Sequence, residues 1–358
     1  MKPVFLIIIL CASCKSNTRL SVDVSKDIVI PKHYIVATTN DNMVIDGKAN
    51  ELCWKNTLFT DNFIDIEGVK TPKYNTKTKM LWDDNYLYVY AEMEEPHIWA
   101  TLKQRDTIIY YNNDFEVFID PSGKAQDYGE IEINALNTVW DLYLNKPYRT
   151  GGKPDFTWNL DNLKTAVKIY GTLNNPSDID SLWTLEMAIP LKPLMKLRNS
   201  AQPLQEGEQW RINFSRVEWD HDIIDGRYER KKENGKYVKE HNWVWSNQKV
   251  ISMHQPEKWG YVQFTKAQSS KDVPFIEDED LLIKQTAFAL FRKTRRGELK
   301  YLLENKPGSV QTIEATYSEG KMLKTIFSKT NSGFEYTFES PVTHNLYQIT
   351  NEGKLNKL

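Results

Sequence analysis

Cysteine is scarce in this chain. There are three among 358 residues, and Cys11 and Cys14 stand close together at the start. Only Cys53 is left for the body of the fold, so a disulfide framework is excluded. Cys53 lies beside Trp54 in an apolar setting, which is that of a buried, inert thiol. Histidine is also rare, at six, and no HExxH, GxSxG or phosphate-loop pattern occurs. The familiar signatures of zinc proteolysis, serine hydrolysis and nucleotide binding are therefore missing. A net charge of −2 and a pI near 6.4 leave no basic footprint for nucleic acid. Membrane-length apolar runs are absent too: the run at residues 4–10 is seven residues long, too short for a spanning helix.

That opening segment reads as a targeting signal. Lys2 supplies its positive end, and small residues precede the second cysteine in Leu10-Cys11-Ala12-Ser13-Cys14. The box resembles a bacterial lipoprotein cleavage site, with Cys14 as the residue that would take the lipid. The expectation is a signal peptide over residues 1–14 and a polar tether over 15–33. The protein would then sit in the cell envelope at the outer membrane, facing the periplasm or the surface, and touch the membrane through its lipid anchor only.

Aromatic residues are what the chain has in quantity: 12% of the sequence, with 11 Trp and 18 Tyr. Such rings fill cores, and they also stack on the faces of sugars. Strand signals recur from Tyr34 onward. Residues 80–82 and 86–93 flank Asp83-Asp84-Asn85 as a hairpin, and strand patterns return at 166–170, 182–189, 209–219 and 259–264. Many strands, few helices and polar turns predict a mainly β protein built as an antiparallel β-sandwich. Trp54, Trp82, Trp183, Trp210 and Trp259 belong to strand-like runs and are expected in the core. Residues 190–197 predict one short helix. The charged run RYERKKENGKYVKE at 227–240 lacks apolar periodicity and reads as a solvated loop.

One stretch organises the rest. In residues 114–144, Phe115, Val117 and Ile119 alternate with Glu116 and Asp120; after a Pro-Ser-Gly turn, Ile131, Ile133 and Ala135 alternate with Glu130, Glu132 and Asn134. One face is apolar and the other is a patch of carboxylates and an amide.

This stretch, with Asn112 and Asn113 before it, resembles the central strand motif of family 9 carbohydrate-binding modules. Further matches follow in the family's order: VIDGKANELCW (44–54), LWDDNYLYVYAEMEEP (81–96), WTLEMAIP (183–190), EQWRINFSRVEW (208–219) and EKWGYVQF (257–264). The resemblance implies a sandwich over residues 34–266 that binds an oligosaccharide or polysaccharide without cleaving it. It also implies a sugar gripped between two aromatic rings above a polar wall. By position the first ring is Tyr110 or Tyr111, the carboxylate Glu116 and the amide Asn134. Two positions depart from the pattern: Met253 stands at the second ring, and Glu132 where an arginine is expected. Trp140, Trp158, Trp243 or Trp245 would then have to supply the second ring. No cofactor is required, although clustered oxygens in DNFIDIEG, at Asp61, Asp65 and Glu67, suit a structural calcium. Polysaccharide-degradation enzymes are the expected partners, and nucleic acid is not.

Other readings of the same residues are open at this point. Glu116 and Glu132 could serve a glycoside hydrolase, or be structural carboxylates paired with Arg211 or Arg216. Met253 and His254 suggest a haem-binding sandwich, and a protein-binding scaffold is a further possibility. Residues 272–358 fall outside the resemblance. They predict a small α+β region, with an amphipathic helix within 278–303 followed by strands at 310–317, 322–330 and 333–338; its role is unassigned.

Overall fold

The computed structural model describes residues 19–200 and 202–358. The lipidation candidate Cys14 and the signal segment of residues 1–14 lie outside the described residues. The central strand is Asp114–Asp120, set between Tyr128–Asn134 and Gln209–Glu218 and antiparallel to both. On one side the sheet continues to Val139–Leu144. On the other it passes through Gly260–Phe264 to His33–Thr38. This last strand belongs to two layers. Its first residues pair with Gly260–Phe264, and Ala37 and Thr38 pair with Thr76–Trp82 in the second layer. The second layer is completed by Tyr86–Glu94, Leu182–Pro190 and Lys164–Tyr170.

Alternation decides what fills the space between the layers. Phe115, Val117, Ile119, Ile131 and Ile133 from the first layer meet Val89, Ala91, Met93, Leu185 and Met187 from the second. Trp82, Trp183 and Trp210 are buried in this core, and Trp54 and Trp259 in smaller clusters outside it. The short helix is Leu191–Arg198.

Several expectations are corrected. Trp243 and Trp245, candidates for a sugar-facing ring, are only 2% and 1% exposed and belong to the core. A Cβ at position 260 would lie 2.3 Å from the Trp245 ring, so only glycine lets that indole lie flat on the strand. Trp243 is covered by the guanidinium of Arg216, 5.0 Å from its ring centroid. The charged run at 227–240 is not an open loop: His221–Ile224 pairs with Arg227–Arg230, and Lys232–Glu233 with Lys236–Tyr237. Their turns are Asp225-Gly226 and Asn234-Gly235, all four residues at positive φ, the combination that closes two-residue hairpins.

The tether expected over residues 15–33 also carries structure. Leu20–Asp23 is a strand paired in parallel with Val310–Ser318, and Ser25–Asp27 is a turn of 3-10 helix. The reason is hydrophobic: Val22, Val24 and Ile28 are buried in the cluster of the C-terminal region. That region is a six-stranded sheet carrying the helix Leu281–Arg295. Beyond the three strands read from sequence it adds Leu346–Thr350 and Leu355–Lys357.

The helix docks on the sandwich through a two-pronged ion pair. Arg292 Nε and one terminal nitrogen donate to the two oxygens of Glu257 at 2.5 and 2.7 Å. Burial alone would push the Glu257 carboxyl up, but Arg292 outweighs it and holds the group below its ordinary 4.5. A carboxyl depressed by folding adds stability above its unfolded value and loses that contribution as pH falls through the folded one. Arg292→Ala leaves Glu257 buried and unpaired. It is expected to destabilise the protein by about 3 kcal/mol in urea unfolding at neutral pH. As pH falls below 4.5 and through the depressed folded value of Glu257, the variant and the wild type should converge.

Candidate functional site

The polar face of the central sheet is built by register. Ser215, Glu116, Glu132 and Trp140 lie directly opposite one another on four successive strands and form one row across the sheet. In the next row Asn213, Phe118, Glu130 and Leu142 are aligned in the same way. The sequence predicts this face as a surface patch; the structure roofs it. Every residue of Asp114–Asp120 and Tyr128–Asn134 is buried. The roof comes from the turn Ile109–Tyr111, the turn Tyr148–Thr150 and the chain around residues 240–254.

Between floor and roof lies a cleft of about 540 Å³. Glu116, Glu130, Glu132 and Trp140 line its floor, and Tyr110, Tyr148, Arg149, Met253 and His254 its sides and mouth. The Tyr110 backbone N–H donates to Glu132 Oε2 at 2.9 Å, fixing that turn to the floor. Tyr148 is 39% exposed, so its phenol is the ring within reach of a ligand. It packs edge-on against His254, whose Nδ1 is 2.9 Å from the Tyr128 hydroxyl. Burial, and then Arg149, lower His254 to about 3, so the imidazole is neutral at physiological pH. No residue of the C-terminal region lines the cleft.

Of the residues singled out in the sequence, Tyr110, Glu116, Glu132 and Trp140 therefore share one pocket, with Met253 at its side. Others are placed elsewhere. Asn134 is consumed locally: its Nδ2 donates to Leu102 O, and its Oδ1 accepts from the N–H groups of Leu136 and Thr138. Tyr111 packs edge-on against Tyr110, but its other neighbour is the guanidinium of Arg230, 4.8 Å from its ring, outside the cleft. Trp158 leans on Gly129 from the core side of the sheet and lines a different hollow with Asp127, Tyr143 and Lys196. Met253 and His254 are adjacent in the chain and line the cleft together, and His254 Nδ1 is engaged by the Tyr128 hydroxyl. Asp65 receives the backbone N–H groups of Glu67, Val69 and Lys70, and Asp61 pairs with Lys32.

The proposed arginine partners are engaged elsewhere. Arg211 donates to Trp259 O and the Tyr261 hydroxyl, and Arg216 lies on the core side with Glu95 and Glu218. Sequence reasoning missed Tyr148 and Arg149, and offered His254 only as a haem ligand beside Met253; all three reach the cleft through loops. It could have found Glu130, which shares the face of Glu132 by alternation.

The electrostatics follow from crowding. Burial, reinforced by neighbouring carboxylates, pushes Asp114, Glu130 and Glu132 well above the usual carboxylate range. Burial raises Glu116 to about 7, and Glu240 adds to the shift. The Ser215 hydroxyl opposite is near enough to soften that shift, though not in hydrogen-bond geometry. Trp140 Nε1 and Glu130 Oε2 are buried without a hydrogen-bond partner. The cleft thus gathers carboxyl oxygens beside a phenol and an indole, a set suited to hydroxyl groups.

A family model described as "Carbohydrate family 9 binding domain-like" matches residues 45–267. Endo-1,4-beta-xylanase A of Thermotoga maritima is 26% identical over 162 residues, which are 44% of this chain and 13% of that protein. Exoglucanase XynX of Acetivibrio thermocellus is 30% identical over 118 residues, 32% of this chain and 10% of that one. The chain therefore spans 13% or less of the length of these curated relatives. Among solved structures, a family 9 carbohydrate-binding module of Caldicellulosiruptor kristjanssonii in complex with cellotriose is 19% identical, with a TM-score of 0.44; the match covers 69% of this chain and 100% of that one. A chain from Bacteroides uniformis described as a carbohydrate-binding protein is 15% identical, with a TM-score of 0.50, over 66% of this chain and 100% of that one; the likeness is one of fold.

Glu116 gives a testable pH dependence. A carboxyl raised by folding carries no penalty below its unfolded value of 4.5 and costs stability as pH climbs toward its folded value near 7. In metal-free buffer, Glu116→Gln should therefore match the wild type near pH 4 and exceed it by roughly 2 kcal/mol at pH 8, read by thermal melting. Equal melting curves for the two proteins at pH 8 would refute the shift.

Proposed function

The chain belongs to the carbohydrate family 9 binding domain-like family, and on that footing we propose that its cleft captures saccharide chains for a polysaccharide-degrading system at the cell envelope. Carbohydrate binding without catalysis is the activity the family supports. One observation carries its location: the row Ser215, Glu116, Glu132 and Trp140 floors a cleft that Tyr110 and Tyr148 border. Sugar rings bury their C–H faces on flat aromatics while their hydroxyls exchange hydrogen bonds with a polar wall. Because each such bond replaces one to water, the affinity expected is modest.

Glu116 and Glu132 stand side by side on one wall. A glycosidase needs its two carboxyls on either side of the scissile bond, so holding a saccharide is the better use of this pair. The xylanase and exoglucanase relatives carry the matching segment as a small part of much longer chains. That pattern supports a module whose task is attachment to polysaccharide while enzymes act nearby. The lipobox-like start supports anchoring through Cys14.

Glycan-array screening followed by calorimetry on the chain from Arg19 onward tests the saccharide reading. Binding to at least one oligosaccharide is expected, with Tyr148→Ala and Trp140→Ala each weakening it about tenfold. Silence across the array would overturn it. For the anchor, Cys14→Ser is expected to move the protein from the membrane to the soluble fraction; unchanged fractionation would refute lipidation.

A further inference from the structure

At the floor of the cleft, three acidic side chains converge. Single carboxylate oxygens of Asp114, Glu116 and Glu132 all lie within 4.8 Å of one another. Glu116 and Glu132 line the cleft, and Asp114 lies beside them on the same face, two residues before Glu116 along the strand. Such a cluster can be held together by protons alone. A second observation points further. Asp114 is fully buried, and neither of its oxygens is in hydrogen-bond geometry with any group, although the Val217 N–H lies near enough to soften its upward shift. The Ser215 hydroxyl, fully buried and directly opposite Glu116, is also unpartnered. Orphaned buried oxygens in this number are uncommon, because each forfeits its hydration for nothing. The arginines of this region offer no relief, since Arg216 is paired with Glu95 and Glu218 and Arg149 donates to Ile251 O.

We infer that Asp114, Glu116 and Glu132 form a site for a hard divalent cation of the calcium class, with the Ser215 hydroxyl beside it, and that the cation's open face takes saccharide hydroxyls in the cleft. Calcium binds six to eight oxygens at about 2.3–2.6 Å, so oxygens on opposite sides of the ion stand about 5 Å apart, the spacing this triad provides. Three carboxylates leave roughly half of that coordination shell unfilled, and vicinal hydroxyls are oxygen ligands of the right hardness. The Glu116–Glu132 juxtaposition, unfavourable for two like charges across a strand pair, becomes favourable once a cation lies between them. The second half of this inference rests on the saccharide reading of the cleft; the first does not.

The test uses the purified chain after chelation, titrated with calcium chloride and, separately, magnesium chloride. Calorimetry is expected to show one calcium site, weakened at least tenfold by Asp114→Asn and by Glu132→Gln. Calcium should also raise the melting temperature of the wild type, a readout that stands even if a variant fails to fold. Absence of both calcium heat and a melting shift overturns the site, as does unchanged calcium affinity in the two variants. With a saccharide identified by the glycan screen, chelation is expected to weaken binding at least tenfold, with recovery on adding calcium. Saccharide binding that ignores chelation overturns the cation's role in the cleft while leaving saccharide capture intact. Calcium binding lost in both variants, with no saccharide bound by any form of the protein, supports the ion site and defeats the saccharide reading alone.

Discussion

Glu116 and Glu132 face each other across a strand pair in the middle of a sheet, where register decides their separation. Neither can retreat. A slip of one residue would turn Phe115, Val117, Ile131 and Ile133 out of the core and the carboxylates into it, at a cost of many kcal/mol in lost apolar burial. The core between the layers therefore fixes the acidic row, and the row determines what must surround it. Buried carboxylates need protons, hydrogen-bond donors or counter-charges. The Tyr110 N–H supplies one donor, and what remains unsatisfied is what a ligand can use.

Beyond the cleft, charge is handled by pairing. Arg216 is shared between Glu95 and Glu218 on the core side, and Arg292 grips Glu257 at the junction with the C-terminal helix. Asp280, at the start of that helix, gathers hydroxyls from Ser340, Thr343 and Tyr347, tying the helix to the sheet it covers. These groups have partners inside the protein. The contrast with Asp114, whose oxygens have none, sets the cleft apart from the merely structural polar clusters.

Much of this was legible in the sequence, because alternation carries both halves of the message. The pattern from Asp114 to Asn134 gave the strands, the core face and the acidic face at once. Burial of the acidic face was not legible, since it depends on loops that return from residues 109–111, 148–150 and 240–254. For the same reason Tyr148 and Arg149 escaped notice. Trp243 and Trp245 misled because a polar-bounded HNWVWSN segment resembles an exposed strand; only the pairing of His241–Val244 with Gln209–Glu218 turns those indoles inward. Asn134 misled in another way: its amide suited a ligand, but the turn at Leu136 and Thr138 takes its oxygen, and Leu102 O and Asn112 Oδ1 take its nitrogen. The hairpins at 221–237 were signalled by Asp-Gly and Asn-Gly, a cue that outweighed the missing apolar alternation.

The strand Leu20–Asp23 has a mechanical consequence. It lies at the edge of the C-terminal sheet, and the chain first bonds to the sandwich only afterwards, at Ile28, whose carbonyl accepts from Lys249 Nζ. Traction applied at Arg19 along that strand loads a short ladder in shear before any of it reaches the acidic row. If the ladder yields, the eight residues from 20 to 27 can extend to at most about 26 Å while the two-layer body stays whole. The small sheet at the far end of the chain thereby doubles as a strain relief for the part that grips.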